Sequence, residues 1–168
     1  MERFTVAVLV RNQFGVLNRV TSMFRRRQFN IACLTVSETE TKEFSRITIL
    51  FDGEENTKQL LINQLYKLPD VCSIQEFNDK NSVSRELMLI KIQNQPNLFD
   101  ELRLPFEVFD LKAIEYTSEA VILQMIGEGS KIDEFLQLMH EFTILEICRT
   151  GIVSLQKGKE TIRQITNL

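Results

Sequence analysis

Residues Phe4 to Val10 alternate Phe4, Val6, Val8 and Val10 with Thr5, Ala7 and Leu9, the period-two pattern of a strand with a core face. Arg11-Asn12-Gln13-Phe14-Gly15 interrupts the run with turn chemistry. Val16, Leu17, Val20, Met23 and Phe24 then recur at helical spacing, and Arg25-Arg26-Arg27 suit the negative end of that helix's dipole. Ile31 to Val36 and Phe44 to Phe51 read as strands joined by a hairpin loop over Thr39 to Glu43. Leu61, Leu65 and Leu68 form a second helical stripe that Pro69 stops, and Val71 to Phe77 returns as a strand. The order is βαββαβ.

Asn78 to Ser82 reads as a polar linker, after which the pattern starts again. Glu86 to Ile92 is a strand, and Leu98 to Phe109 a helix in which Pro105 predicts a kink or an early break. Leu111 to Tyr116 and Ala120 to Ile126 pair as a hairpin through Thr117-Ser118-Glu119. Ser130 is the expected N-cap of a helix with Ile132, Phe135, Leu136 and Met139 on one face. Ile144 to Leu155 is read as one extended segment, and Gln156 to Leu168 as a polar tail loosely held. Each half is therefore an α+β, ferredoxin-like βαββαβ unit with helices over one sheet face and the other face or an edge left for a partner. Dimerisation is expected, because two units this small bury little core alone.

Composition narrows the chemistry. The chain has 168 residues, 43% hydrophobic and 26% charged, which is the profile of an ordinary globular protein. Twenty basic against 23 acidic residues leave a formal charge of −3. With a pI near 5.3, nucleic acid is not the expected partner, since phosphate binding needs a dense cationic face. No apolar run approaches the ~18 residues of a membrane span. The strand pattern begins at once, which leaves no room for a signal peptide. Cys33, Cys72 and Cys148 share no metal-binding spacing and read as buried, inert thiols of a reducing cytoplasm. His140, the single histidine, has no companion nucleophile or carboxylate set and reads as structural. Neither a catalytic nor a metal site is expected.

The candidate binding feature is Asn12-Gln13-Phe14-Gly15-Val16-Leu17, where a strand ends and a helix begins. Glycine admits close approach to the backbone, and free first-turn amides favour an anion such as an amino-acid carboxylate. The same stretch also reads as a plain tight turn with Gly15 at positive φ. Arg25, Arg26 and Arg27 allow two readings, a polyanion patch or a solvated helix end, and the acidic balance favours the second. Gly127-Glu128-Gly129-Ser130-Lys131 lacks the full phosphate-loop spacing and reads as a turn. An RNA-recognition unit of this topology needs stacked aromatics on its central strands. Glu43-Phe44-Ser45-Arg46-Ile47-Thr48-Ile49 lacks them.

A set of segments in order along the chain resembles the regulatory (small) subunit family of acetolactate synthase. They are Asn12 to Leu17, Phe29-Asn30-Ile31 with Leu34-Thr35-Val36, Ser45 to Ile49, Gln64 to Leu68 with Asp70-Val71, Arg85 to Ile92, Lys131 to Phe135, and Arg149 to Val153. The resemblance implies an ACT domain over 1–78 for effector binding and dimerisation, a ferredoxin-like domain over 84–158, and a polar tail over 159–168. It implies no catalysis and no cofactor in this chain. The thiamine diphosphate, divalent metal and FAD of the complex belong to the large catalytic subunit, which chains of this family activate and place under feedback inhibition by a branched-chain amino acid, usually valine.

Residue by residue, the family's effector positions carry over to Asn12, Gly15, Val16 and Leu17 of one protomer. Asn30 and Ile31 of the other protomer complete the site in an ACT-domain homodimer. In that reading the amides near Gly15 hold the carboxylate, and the Asn12 and Asn30 carbonyls accept from the ammonium. Val16, Leu17 and Ile31 offer apolar surface to the branched side chain. Two departures stand out: Phe14 where similar chains often have proline or a small residue, and Arg11 in place of a frequent acidic residue. The competing function is a free-standing ACT-type amino-acid sensor that regulates a different partner.

Overall fold

The computed structural model describes residues 2–78 and 80–164. Asp79, inside the expected linker, and residues 165–168 of the expected tail lie outside the described residues. The chain divides into two units, Met1–Ser84 with Ile152–Leu168, and Arg85–Gly151.

The first unit runs β1 (Glu2–Arg11), α1 (Val16–Arg26), β2 (Ile31–Glu38), β3 (Phe44–Gly53), α2 (Glu55–Leu65) and β4 (Val71–Phe77). Its four strands form one antiparallel sheet in the order β2-β3-β1-β4. The registers Val6↔Ile49, Val8↔Ile47 and Val8↔Ile74 put these side chains on one face. There they meet Val16, Val20 and Phe24 of α1 and Leu61, Ile62 and Leu65 of α2 in one buried cluster.

The intervening residues of β1 are also buried. Ala7 and Leu9, on the opposite face, pack with Ile162, and Ser73 Oγ donates to the Ile162 carbonyl at 2.6 Å. The run Val-Ala-Val-Leu-Val is what a strand covered on both sides looks like. The face expected to stand open is thus partly covered by the chain's own last residues. Arg46 donates to the Ser154 carbonyl, and burial there pulls its pKa down. Arg163 pairs with Glu40 at 3.1 Å and lies over the Phe44 ring. The expected loose tail is therefore held through residue 164, since Ile162 would otherwise leave Ala7 and Leu9 in water.

The second unit repeats the plan with β5 (Ser82–Gln93), α3 (Leu98–Glu101), α4 (Arg103–Phe109), β6 (Lys112–Tyr116), β7 (Ala120–Gly127), α5 (Gly129–Leu138) and β8 (Ile144–Arg149). Its strand order is β6-β7-β5-β8, the counterpart of the first sheet. The core gathers Met88, Ile90 and Ile92 with Val121, Leu123, Met125, Ile132 and Phe135.

Three local expectations resolve differently or more finely. The helix over 98–109 is broken at Leu102, because Pro105 has no N–H for the Glu101 carbonyl and its ring crowds that position. The helix expected to be capped by Ser130 is α5, whose N-cap position is Glu128, with no side-chain capping hydrogen bond; Ser130 lies inside it. The segment 144–155 is two strands, separated at Gly151, whose φ of 79° lies outside the extended region. The second unit ends at that break.

Candidate functional site

The turn after β1 is built by Asn12. Its amide donates to the Glu43 carbonyl at 2.7 Å, and its Nδ2 donates to the Lys42 carbonyl at 2.9 Å and to Glu38 Oε1 at 3.2 Å. With Nδ2 spent on the β2–β3 hairpin, the carbonyl Oδ1 is the part of Asn12 available to a ligand's donor. Val16 N reaches the Gln13 carbonyl at 3.3 Å, and Gly15 occupies the N-cap of α1 at φ 80°, ψ −5°, with no side-chain cap. The first-turn amides of α1 therefore face outward without a side-chain acceptor, at the positive end of an 11-residue helix.

Arg19 stands beside this turn. Its Nε and Nη2 lie 2.7 and 2.6 Å from Asp70 Oδ2, and its Nη1 lies 3.6 Å from where a Cβ on Gly15 would be. Asp70 in turn receives the Arg11 amide on its carbonyl at 2.9 Å. Sequence reasoning did not single out Arg19. The signal available was a basic residue four positions after the glycine, on the next turn of the same helix.

The six carried-over residues fall as follows. Asn12 and Gly15 shape the turn, and Leu17 is about two-fifths exposed at 41%. Val16 is in the core with Val20 and Phe24, and its amide donates to the Gln13 carbonyl. Asn30 is exposed just before β2, and Ile31, half-buried, stands opposite Phe51 in β3. The cavity next to the turn, of about 600 Å³, is lined by Asn12 with Leu9, Phe44 and Cys72 among others, but by none of Gly15, Val16, Leu17, Asn30 and Ile31. Phe14 projects fully into solvent.

The same turn occurs again in the second unit. Asn94-Gln95-Pro96-Asn97-Leu98 matches Asn12-Gln13-Phe14-Gly15-Val16 position for position. Asn94 N donates to the Glu119 carbonyl at 2.8 Å and Nδ2 to the Thr117 carbonyl at 2.7 Å; Leu98 N reaches the Gln95 carbonyl at 3.2 Å. Asn97 holds φ 65° where Gly15 holds 80°. The Asn lock is thus a device of the fold, used in both units. What distinguishes the first copy is a glycine without side chain, a full-length helix behind it, and Arg19.

The other singled-out residues lie away from this turn. Lys131 lies over the Phe109 ring at 5.8 Å inside the sequence that resembled a phosphate loop. His140 is exposed in a 3-10 turn with Nδ1 2.7 Å from the Gln137 carbonyl. Cys148, expected buried, is exposed because it lies opposite Leu89 on the sheet face away from the helices, whereas Cys33 and Cys72 are half-buried. Among the described residues no group of three His, Cys, Asp or Glu side chains is placed to hold a metal, and no helix is long and apolar enough to cross a membrane.

Glu86, Asp133 and Arg149 come from three separate family-resembling segments and meet in one ion triad. Arg149 donates to both Glu86 oxygens at 2.7 and 2.9 Å and to Asp133 Oδ1 at 2.7 Å. The hydrogen bonds to Glu86 first, then Asp133, raise the Arg149 pKa against the lowering effect of burial.

Residues 6–73 match the profile of the AHAS small subunit-like ACT domain, and residues 85–158 that of the small subunit of acetolactate synthase. The acetolactate synthase isozyme 3 small subunit of Escherichia coli is 35% identical over 162 residues, covering 96% of this chain and 99% of that protein. The acetolactate synthase small subunit of Mycolicibacterium smegmatis is 36% identical over 158 residues, covering 94% and 93%. The crystal structure of the small subunit from Thermotoga maritima superposes with a TM-score of 0.86 at 33% identity, covering 95% of this chain and all of that one.

Proposed function

Because the chain belongs to the acetolactate synthase small-subunit family, it is a regulatory subunit whose catalytic partner is the large subunit, and we propose how it regulates: it raises the partner's turnover and confers feedback inhibition by a branched-chain amino acid, valine being the preferred one. The effector is held by the first unit. Its carboxylate lies on the first-turn amides of α1 at Gly15, next to Arg19, and its ammonium donates to the Asn12 and Asn30 carbonyls. Leu17 and Ile31 receive the branched side chain, while Val16 anchors the helix start in the core.

The observation that carries this reading is the uncapped helix start at Gly15, with an arginine beside it and the Asn12 amide nitrogen already committed elsewhere. A second observation supports a pocket shared by two copies. Asn30 immediately precedes and Ile31 opens β2, which is an edge strand of the first sheet and has no strand beyond it among the described residues. A second copy pairing along that edge through a two-fold axis generates two equivalent pockets, each drawing on both chains.

Reconstitution tests the proposal. The chain alone is expected to form no acetolactate. Added to the large subunit it raises turnover, and valine, leucine or isoleucine then lowers it. Turnover by the chain alone, or a large subunit indifferent to it, contradicts the proposal.

A further inference from the structure

We propose that Asp70 is a positioning residue of the effector site: it aims the Arg19 guanidinium at the turn and so makes the site selective for a free α-carboxylate. The inference rests on the reading that the effector's carboxylate lies at Gly15. Arg19 is one helical turn past Gly15, and its amide donates to the Gly15 carbonyl at 2.9 Å. Its side chain is half exposed, and a long side chain in that setting samples many rotamers unless something holds it. Asp70, whose side chain is 12% exposed, holds it. Asp70 Oδ2 accepts from Nε at 2.7 Å and lies 2.6 Å from Nη2, so it grips one side edge of the guanidinium. A planar fork held by that edge has its remaining nitrogen fixed, and Nη1 comes to 3.6 Å from where a Cβ on Gly15 would stand.

Asp70 is tied to both ends of the turn. Its carbonyl accepts from the amide of Arg11, the last residue of β1, at 2.9 Å, while its side chain grips α1. It stands immediately before β4, whose first residue, Val71, pairs with Val10. One residue therefore holds the end of β1 and the start of α1 together, with Asn12 to Gly15 between them. An ion pair half open to water stabilises a fold little. What this pair supplies is a donor ordered before the ligand arrives, so that binding does not have to freeze it. Charge alone acts in the opposite direction. Asp70 is a carboxylate near an anion site, and removing it strengthens anion binding if only net charge matters. If orientation matters more, removing it weakens binding. The opposite signs separate orientation from charge.

Calorimetric titration of the full chain with L-valine, L-leucine and L-isoleucine, each against its primary amide, tests this, because the amide lacks the carboxylate charge. The wild type is expected to prefer the amino acid. Asp70→Ala is expected to lower amino-acid affinity roughly 10-fold, as loss of one charge-assisted hydrogen bond implies, and amide affinity less than about twofold. Mere loosening of the turn lowers both alike. Because Asp70 acts through Arg19, Asp70→Ala is expected to cause no further loss of amino-acid affinity when added to Arg19→Met. Arg19→Met alone leaves Asp70 without its cation, so thermal melting verifies each fold; the double variant leaves neither charge unpaired, and the amino-acid-to-amide ratio of Asp70→Ala stands without the single Arg19 variant. Gly15→Asp separates the two levels of the reading. If it binds the amino acids as the wild type does, the effector does not lie at this turn and the role of Asp70 falls with it. If Gly15→Asp loses binding while Asp70→Ala keeps or gains amino-acid affinity, loses amino acid and amide equally, or adds a further loss to Arg19→Met, the site stands and the role of Asp70 is overturned.

Discussion

Gly15→Asp lowers affinity for the branched-chain effector at least ~100-fold and leaves the fold intact. Gly15 sits at φ 80°, a conformation that costs an Asp about 1–2 kcal/mol, but it is also an N-cap, where Asp returns about 1 kcal/mol. The new Cβ meets nothing nearer than Arg19 Nη1 at 3.6 Å, so no backbone has to shift. The variant's carboxylate lands on the first-turn amides beside Arg19, where the effector's own carboxylate belongs. Two such charges ~4 Å apart at an effective dielectric near 20 repel by about 4 kcal/mol, more than the ~2.7 kcal/mol that a hundredfold loss requires. Titration with valine, leucine and isoleucine, alongside thermal melting, reads both halves of this expectation. Unchanged binding in a folded variant removes the effector from this turn.

Arg149→Ala destabilises the second unit by about 2–4 kcal/mol, because it strands Glu86 without its cation. The Glu86 side chain is 7% exposed and Arg149 32%, so the carboxylate bears most of the penalty. The midpoint of thermal unfolding is expected to fall by roughly 5–12 °C. Replacing both partners, Glu86→Leu with Arg149→Met, recovers most of that loss, since no buried charge then remains unpaired. A double variant as unstable as Arg149→Ala contradicts this account of the triad.

The triad shows what sequence conveys and what it does not. Arg85 to Ile92, Lys131 to Phe135 and Arg149 to Val153 were legible as family-resembling segments, but nothing in their spacing says that Glu86, Asp133 and Arg149 touch. The element order was legible because Val6, Val8 and Val10, and later Ile132, Phe135 and Met139, keep clean periods of two and 3.6. Periodicity reports which residues are buried, not what covers them. Ala7 and Leu9 were visible as apolar, yet their cover, Ile162, comes from the polar-looking end of the chain.

The site divides in the same way. Asn12 and Gly15 follow from turn chemistry, whereas the placement of Val16 in the core depends on how α1 rolls over the sheet. Arg19 enters only through Asp70, a partner distant in sequence. The recurrence of the turn at Asn94 was present in the sequence as Asn-Gln-x-Gly/Asn followed by an aliphatic residue. Both copies put the third residue after the asparagine at positive φ, so the asparagine lock belongs to the fold and the glycine to the site.

The central claim, an effector pocket made from two copies of the chain, is tested most directly by mixing two defective variants. Homodimers of Gly15→Asp and homodimers of Asn30→Ala are each expected to bind effector poorly at both pockets. In a mixed dimer one pocket receives both lesions and the other receives neither, as two-fold symmetry requires. Titrating verified mixed dimers with valine is predicted to restore about half the wild-type number of sites, at near wild-type affinity. If verified mixed dimers recover no binding, Gly15 and Asn30 do not meet across an interface and the shared pocket is wrong.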